Sequence, residues 1–203
     1  MKLYDTATAP SPRRVRIYLA EKGIDIPIVP VDLAAGQHKS DAFRALNPFS
    51  LVPVLELDDG DVVFESMAIC RYLEDLHPEP PLFGRNALEK AQVEMWSRVV
   101  ELELYRHVAN AFRHGHPRMA GREVPQIAEL AATSPAKAIA ALETFDRVLA
   151  DRPFIAGEVF TVADITGLVT LDFMKLANIE IPGACANVLR WRTDLSKRPS
   201  AAA

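Results

Sequence analysis

Glu65-Ser66 and Val52-Pro53 are the residues of this chain whose types first invite chemistry. Apolar residues follow Ser66 at Met67, Ile69, Cys70, Tyr72 and Leu73, the spacing of one buried helical face, so Ser66 reads as a helix N-cap. A helix N-terminus carries unsatisfied backbone N–H groups and partial positive charge; it attracts a carboxylate, and the Ser66 hydroxyl adds a donor. Val52-Pro53 stands before a strand-like run, where a proline cannot donate to the ladder and belongs at an edge or a strand start. With a cis bond there, the Val52 N–H and C=O would face solvent, ready to pair with a peptide-like ligand. The plainer alternatives are a trans X-Pro bond and a Glu-Ser pair that only caps a helix, and residue types alone leave both open.

A second group lies in HVANAFRHGHP, residues 107–117. Asn110 and His114 are four apart and share a helix face, where they could hold a water or act as a general base. Against this, a His-rich helix end is also a solvated terminus favoured by the dipole, and His114 and His116 lack the further ligands a metal site needs. Arg13, Arg14 and Arg16 form a basic run; with no glycine-rich loop before it, a solvated helix face is expected rather than a phosphate site. Cys70 sits among apolar residues and reads as an inert buried thiol.

The elements that must position these residues can be read in order. Residues 2–4 form a short strand, and a loop rich in Thr, Ala and Pro leads to a helix with Val15, Tyr18 and Leu19 on one side and Gly23 at its end. Residues 26–33 are an apolar strand that Pro27 and Pro30 assign to an edge, giving a right-handed parallel strand–helix–strand unit. A polar loop and short helix follow over 36–45, with Phe43 inward. Residues 54–57 and 62–64 flank Asp58-Asp59-Gly60-Asp61 and predict a hairpin, and the Ser66 helix completes the order βαβαββα. That order is thioredoxin-like.

Residues 77–87 are rich in proline and poor in periodicity, as in a linker, which divides the chain into domains at 1–76 and 88–203. The second domain is predicted all-helical. Residues 88–112 carry Met95, Val99, Leu102 and Phe112 inward; residues 127–149 carry Leu130, Ile139, Leu142, Phe145 and Leu149, with a helix start at Ser134-Pro135. Thr161 and Asp164 read as a capping box on a buried helix, and a last helix carries Val188, Trp191 and Leu195.

A length of 203 residues allows two such domains, and a net charge of −4 with pI near 5.8 argues against nucleic acid as the main partner. Two distant cysteines make neither a disulfide framework nor a metal-ligand set. Neither a signal-peptide pattern nor an apolar run of membrane-spanning length is seen, so a soluble, cytoplasmic protein is expected.

VPVLELDDG and ES in a thioredoxin-like domain, the proline-rich linker, the helical domain and TVADIT together resemble the cytosolic glutathione S-transferase superfamily. YDT, PRRVRIYLAEKG, GQHKSDAF and ELEL are most similar to bacterial and fungal members of the yeast Gtt2 type, and GQH also to the theta class. The resemblance covers almost the whole chain. It implies an enzyme, a glutathione transferase concerned with detoxification: reduced glutathione as co-substrate without a metal, a small electrophilic and mostly apolar second substrate, no nucleic acid or membrane partner, and a homodimer.

Residue by residue, the resemblance implies that Val52 before a cis Pro53 pairs with the cysteinyl unit of glutathione. Glu65 takes the γ-glutamyl ammonium and Ser66 its carboxylate, while His38 and Lys39 meet the glycine carboxylate. Ala9, Phe112, Met119 and Phe173 would shape the second-substrate cleft. Two departures matter: Leu51 stands where relatives often carry Lys, and Ala9 where theta and zeta enzymes carry the thiol-activating serine. Ser11, at the start of the first helix where the dipole favours a thiolate, is the catalytic candidate, with capping as its plain alternative and the Asn110/His114 pair as its rival. Two further readings stay open: a non-catalytic binding module of the same fold, and a glutathione-dependent disulfide reductase or peroxidase. The contact face expected for the homodimer is 67–74 with 88–99.

Overall fold

The computed structural model describes residues 1–203 and divides into two compact units, Met1–Pro81 with Ala202–Ala203, and Leu82–Ala201. In the first unit the order is β1 (Lys2–Asp5), α1 (Pro10–Lys22), β2 (Ile28–Pro30), a 3-10 turn at Gln37–Lys39, α2 (Asp41–Leu46), β3 (Val54–Glu56), β4 (Val62–Phe64) and α3 (Ser66–Leu76). The sheet order is β2-β1-β3-β4, with β1 parallel to β2 and antiparallel to β3, and β3 antiparallel to β4. The predicted thioredoxin-like arrangement is present. β2 keeps only three residues of the expected longer strand, at the edge its prolines require.

Helices α1 and α3 pack together, and α2 contributes Phe43 to a cluster with Val31 and Val54, against which Tyr4, Val52 and Phe64 lie. A buried polar knot joins the far ends of α1 and α3: Tyr18 donates to the Glu74 carboxylate at 2.7 Å, and the fully buried Lys22 ammonium sits 2.7 Å from the same oxygen. Burial and the adjoining carboxylate push the Tyr18 hydroxyl well above its ordinary range.

The basic run on α1 is not the solvated face that was expected. Arg14 is buried, and Arg16 Nη1 lies 2.8 and 2.7 Å from the two oxygens of buried Asp5 while Nη2 donates to the Ala7 carbonyl at 3.1 Å. The reason is tertiary: the end of β1 and the loop after it lie against the helix and supply the acceptors Asp5 and Ala7, which local sequence cannot reveal. Ser66 is likewise the first residue of α3 rather than its cap; Glu65 occupies the cap position.

The second unit is helical: α4 (Ala87–Val99), a π-helical segment (Val100–Tyr105), α5 (Arg106–Gly115), α6 (Ala128–Val148), α7 (Val162–Phe173) and α8 (Ala186–Ser196), with short 3-10 turns between. Two expectations fail here. Met95 and Leu102 are about half exposed, and the buried line is Val93, Ser97, Val100, Leu104, Val108 and Ala111. Both lines have helical spacing, so periodicity could not choose; Ser97 disguised the buried one, its hydroxyl being satisfied within the helix by the Val93 carbonyl at 2.8 Å. Pro135 does not begin a helix but lies inside α6, where Ser134, Ala138, Leu142 and Phe145 are buried and packing overrides the lost hydrogen bond.

Every residue of α7 but Asp172 is buried, and the helix starts with the predicted capping box of Thr161 and Asp164. Asp164, fully buried, accepts from the Ile155 and Thr161 N–H groups at 2.9 Å each and from Trp191 Nε1 at 2.9 Å. Gly167 allows the Trp191 ring in, since a Cβ there would stand 2.2 Å from it. No helix is long and apolar enough to cross a membrane.

Candidate functional site

Strand polarity gathers four irregular segments at one end of the first unit's sheet. β1 and β2 are parallel and finish there, at Asp5 and Pro30; β4 finishes there at Phe64, and β3 begins there at Val54. The Val54–Phe64 and Tyr4–Val54 pairings put the chain before β3, the chain after β4 and the chain after β1 at this same end. The segments 6–11, 31–39, 52–53 and 65–66 therefore leave the same edge, as ligand-binding loops do at the carboxyl ends of parallel strands.

Val52-Pro53 is cis. The Val52 side chain packs against the Val31, Phe43 and Val54 cluster, while its N–H and C=O lie outside the β-ladder and take no part in the hydrogen bonds of the turn. That turn is organised by Asn47, a residue the sequence reading gave no role. Asn47 is 2% exposed; its Nδ2 donates to the Leu51 carbonyl at 2.9 Å and its Oδ1 accepts from the Phe49 N–H at 3.0 Å. Its signal in the sequence is Asn-Pro after a short helix, a turn-initiating pair.

Glu65 adopts φ 72° and ψ 120°, a backbone conformation that L-residues avoid, and its side chain is exposed. The bend it makes brings Ser66 to the first position of α3, where the residue is 3% exposed and its hydroxyl makes no intrachain hydrogen bond. A carboxylate arriving here would meet that hydroxyl and the N–H groups of the first turn together. His38 and Lys39 lie in the 3-10 turn at Gln37–Lys39, which Asp32 shapes by accepting from the Ala34 and Ala35 N–H groups at 2.8 and 2.9 Å. His38 is buried, so Lys39 is the cation of the two that reaches solvent.

Ala9, not Ser11, is the N-cap of α1, and Ser11 is the second helical residue, half-buried with an unbonded hydroxyl. Pro10 and Pro12 have no N–H, which leaves the Ser11 N–H as the one main-chain donor among the first three positions. Capping is thus not what Ser11 does.

Asn110 and His114 share α5, in the second unit. His114 Nδ1 accepts from the Ile127 N–H at 3.3 Å, and its Nε2 stands 4.0 Å from the Glu123 carboxylate. The Nδ1 lone pair is thus already engaged by a main-chain donor. His116 is engaged in the same way, its Nδ1 accepting from the Arg118 N–H at 3.1 Å. Of the other aromatic candidates, Phe112 contacts Phe173 edge to face at 5.1 Å and His116 at 4.9 Å.

Two family models match the chain, that of the glutathione S-transferase N-terminal domain over residues 8–76 and that of the glutathione S-transferase C-terminal domain over residues 128–197. The sequence is 38% identical to glutathione S-transferase 2 of Saccharomyces cerevisiae across 98% of this chain and 87% of that protein. The fold is similar to the crystal structure of Gtt2 from S. cerevisiae, with a TM-score of 0.94 at 38% identity, covering 100% of this chain and 99% of the other. It is also similar to that of a glutathione S-transferase domain-containing protein of Marinobacter aquaeolei, with a TM-score of 0.93 at 39% identity, covering 98% and 99%.

Proposed function

We propose a reading of this site from one premise: the chain belongs to the glutathione S-transferase family and is a glutathione transferase. In this reading the edge of the first unit's sheet cradles reduced glutathione. The Val52 N–H and C=O pair with the cysteinyl unit as an added strand would. Ser66 and the α3 N-terminus take the γ-glutamyl carboxylate, Glu65 takes the ammonium beside it, and Lys39 with His38 meets the glycine carboxylate. The observation that carries the reading is the convergence of all four segments at one sheet edge.

Thiol activation is assigned to the start of α1. Ser11 offers a hydroxyl and a main-chain N–H, both unbonded, at the positive end of a helix dipole, and such an environment lowers a thiol pKa. The thiol gives its proton to solvent, the thiolate sulfur bonds to the electrophilic carbon, and the leaving group departs with its electron pair. Phe112, Met119 and Phe173 of the second unit are assigned to a mostly apolar second substrate. The commitments of the His114 ring weigh against a base at Asn110 and His114. We further assign the protein a homodimeric state, a part in detoxification and a cytoplasmic setting, the last on its two buried free thiols.

Calorimetric titration with glutathione, paired with conjugation of a generic aryl chloride, tests the proposal. Binding with turnover is expected; binding without turnover would turn the reading into a binding module, and no binding would end it. Ser11→Ala is expected to raise the pKa of the bound thiol, read from ultraviolet thiolate absorbance across pH. An unchanged titration would return the role to Asn110 and His114.

A further inference from the structure

Between Glu103 and Glu123 the chain carries Arg106, Arg113, Arg118 and Arg122, three of its five histidines, and not one acidic residue, although its net charge is −4. A helix dipole accounts for cations in the last turn of α5, but Arg118 and Arg122 lie beyond the helix. Two of the three histidines are spent on structure, as His114 and His116 each accept a backbone N–H through Nδ1. Gln126 completes the brace, its Nε2 donating to the Arg113 carbonyl at 2.9 Å and the His116 carbonyl at 3.1 Å. The backbone of this corner is therefore held by neutral groups, and the guanidinium groups of Arg113 and Arg118 are displayed to solvent with no carboxylate partner.

Beside them runs a row of rings, Tyr105, Phe112 and His116 half-buried and Phe173 buried. Tyr105 and Phe173 have centroids 6.2 Å apart, Phe173 and Phe112 5.1 Å, and Phe112 and His116 4.9 Å. Tyr105, at the N-cap of α5, and Phe112 are seven apart and so lie on one face, and Arg106 and Arg113 of α5, also seven apart, lie on the face next to it. Aspartate is not available to neutralise this corner from α7, because Asp172 holds Arg192 at 2.9 Å. An aromatic platform edged by unpaired guanidinium groups is the chemistry that recognises a planar ring bearing a carboxylate.

Resting on the transferase reading above, we infer that the second substrate is an aromatic electrophile carrying an anionic group, its ring on the Phe112, Phe173 and His116 row and its carboxylate on Arg113, with Arg118 adding to the field. Arg113 is then a specificity-determining residue. Two nitro-activated aryl chlorides of nearly equal size probe it, 4-chloro-3-nitrobenzoate and 4-chloro-3-nitrobenzamide. With either, the glutathione sulfur bonds to the chlorine-bearing carbon, the C–Cl bond breaks, chloride leaves with the bonding pair, and the thiol proton passes to solvent.

The readout is the ratio of kcat/KM for benzoate over benzamide, each divided by its uncatalysed rate, at low ionic strength. Arg113→Gln is expected to lower that ratio about tenfold, chiefly through KM, the size of one charge-assisted hydrogen bond. Arg113→Lys should restore part of it, and Arg147→Gln, an exposed arginine on α6, should leave it unchanged. A ratio that Arg113→Gln does not move, or that Arg147→Gln moves equally, overturns the inference while the transferase reading stands. Failure of the wild type to turn over either compound despite bound glutathione overturns both.

Discussion

At Glu65 a charged residue holds φ 72° and ψ 120°, a conformation that costs on the order of 1–3 kcal/mol and persists only where the surroundings enforce it. The enforcement comes from β4 on one side and the buried start of α3 on the other. Glycine at this position relieves the strain but removes the carboxylate assigned to the glutathione ammonium. Glu65→Gly is therefore expected to raise unfolding stability by up to about 1 kcal/mol in urea titrations, the relief being partly offset by the entropy of glycine, while weakening glutathione about tenfold or more by calorimetry. Glu65→Ala should show the weakened binding without the gain in stability. Equal stability of the glycine and alanine variants would mean that Glu65 is not strained.

The element with the most at stake is α7, whose start is tied through Asp164 to the 155 loop and to Trp191 of α8. Burial pushes the Asp164 carboxyl up to about 6 from an ordinary 3.8, against the pull of the N–H donors it accepts. A raised acid pKa means that the folded state holds its proton more tightly than the unfolded chain. Below about 4 both states are protonated, between about 4 and 6 the folded state binds more protons, and stability from this group falls as pH rises through that window. Asp164→Asn cannot titrate. The stability gap between wild type and this variant should narrow from pH 4 to 6 by about 2 kcal/mol, measured by urea denaturation at each pH. A gap that widens over the same range would show that the donors, not burial, control the group.

Across the whole molecule, Leu88, Met95 and Leu102 are 67%, 49% and 47% exposed, a line of large apolar side chains that water disfavours. In the proposed homodimer this line is covered by a second copy. Within the 67–74 span proposed for the other half of the contact, Ile69, Cys70 and Leu73 are buried and Glu74 turns inward to Tyr18 and Lys22. Sedimentation at micromolar concentration is expected to give a dimer, and Met95→Glu to shift it to monomer with the helical circular dichroism retained. A wild type that sediments as a monomer would remove the dimer and leave this line to some other partner.

What the sequence determined by itself was whatever rests on local pattern. The hairpin around Gly60, the Thr161–Asp164 box, the order of elements and the family motifs at 52–53 and 65–66 follow from residue type and spacing over a few positions, where backbone preference and capping are decided. Tertiary structure alone decided what depends on partners distant in the chain. Arg16 finds Asp5 across the first loop, Asn47 sets the turn before Val52, and His114 is spent on the Ile127 N–H. The choice between two apolar lines over residues 88–112 was of the same kind, because periodicity names the faces of a helix and only the packing of its neighbours selects the one that leaves water.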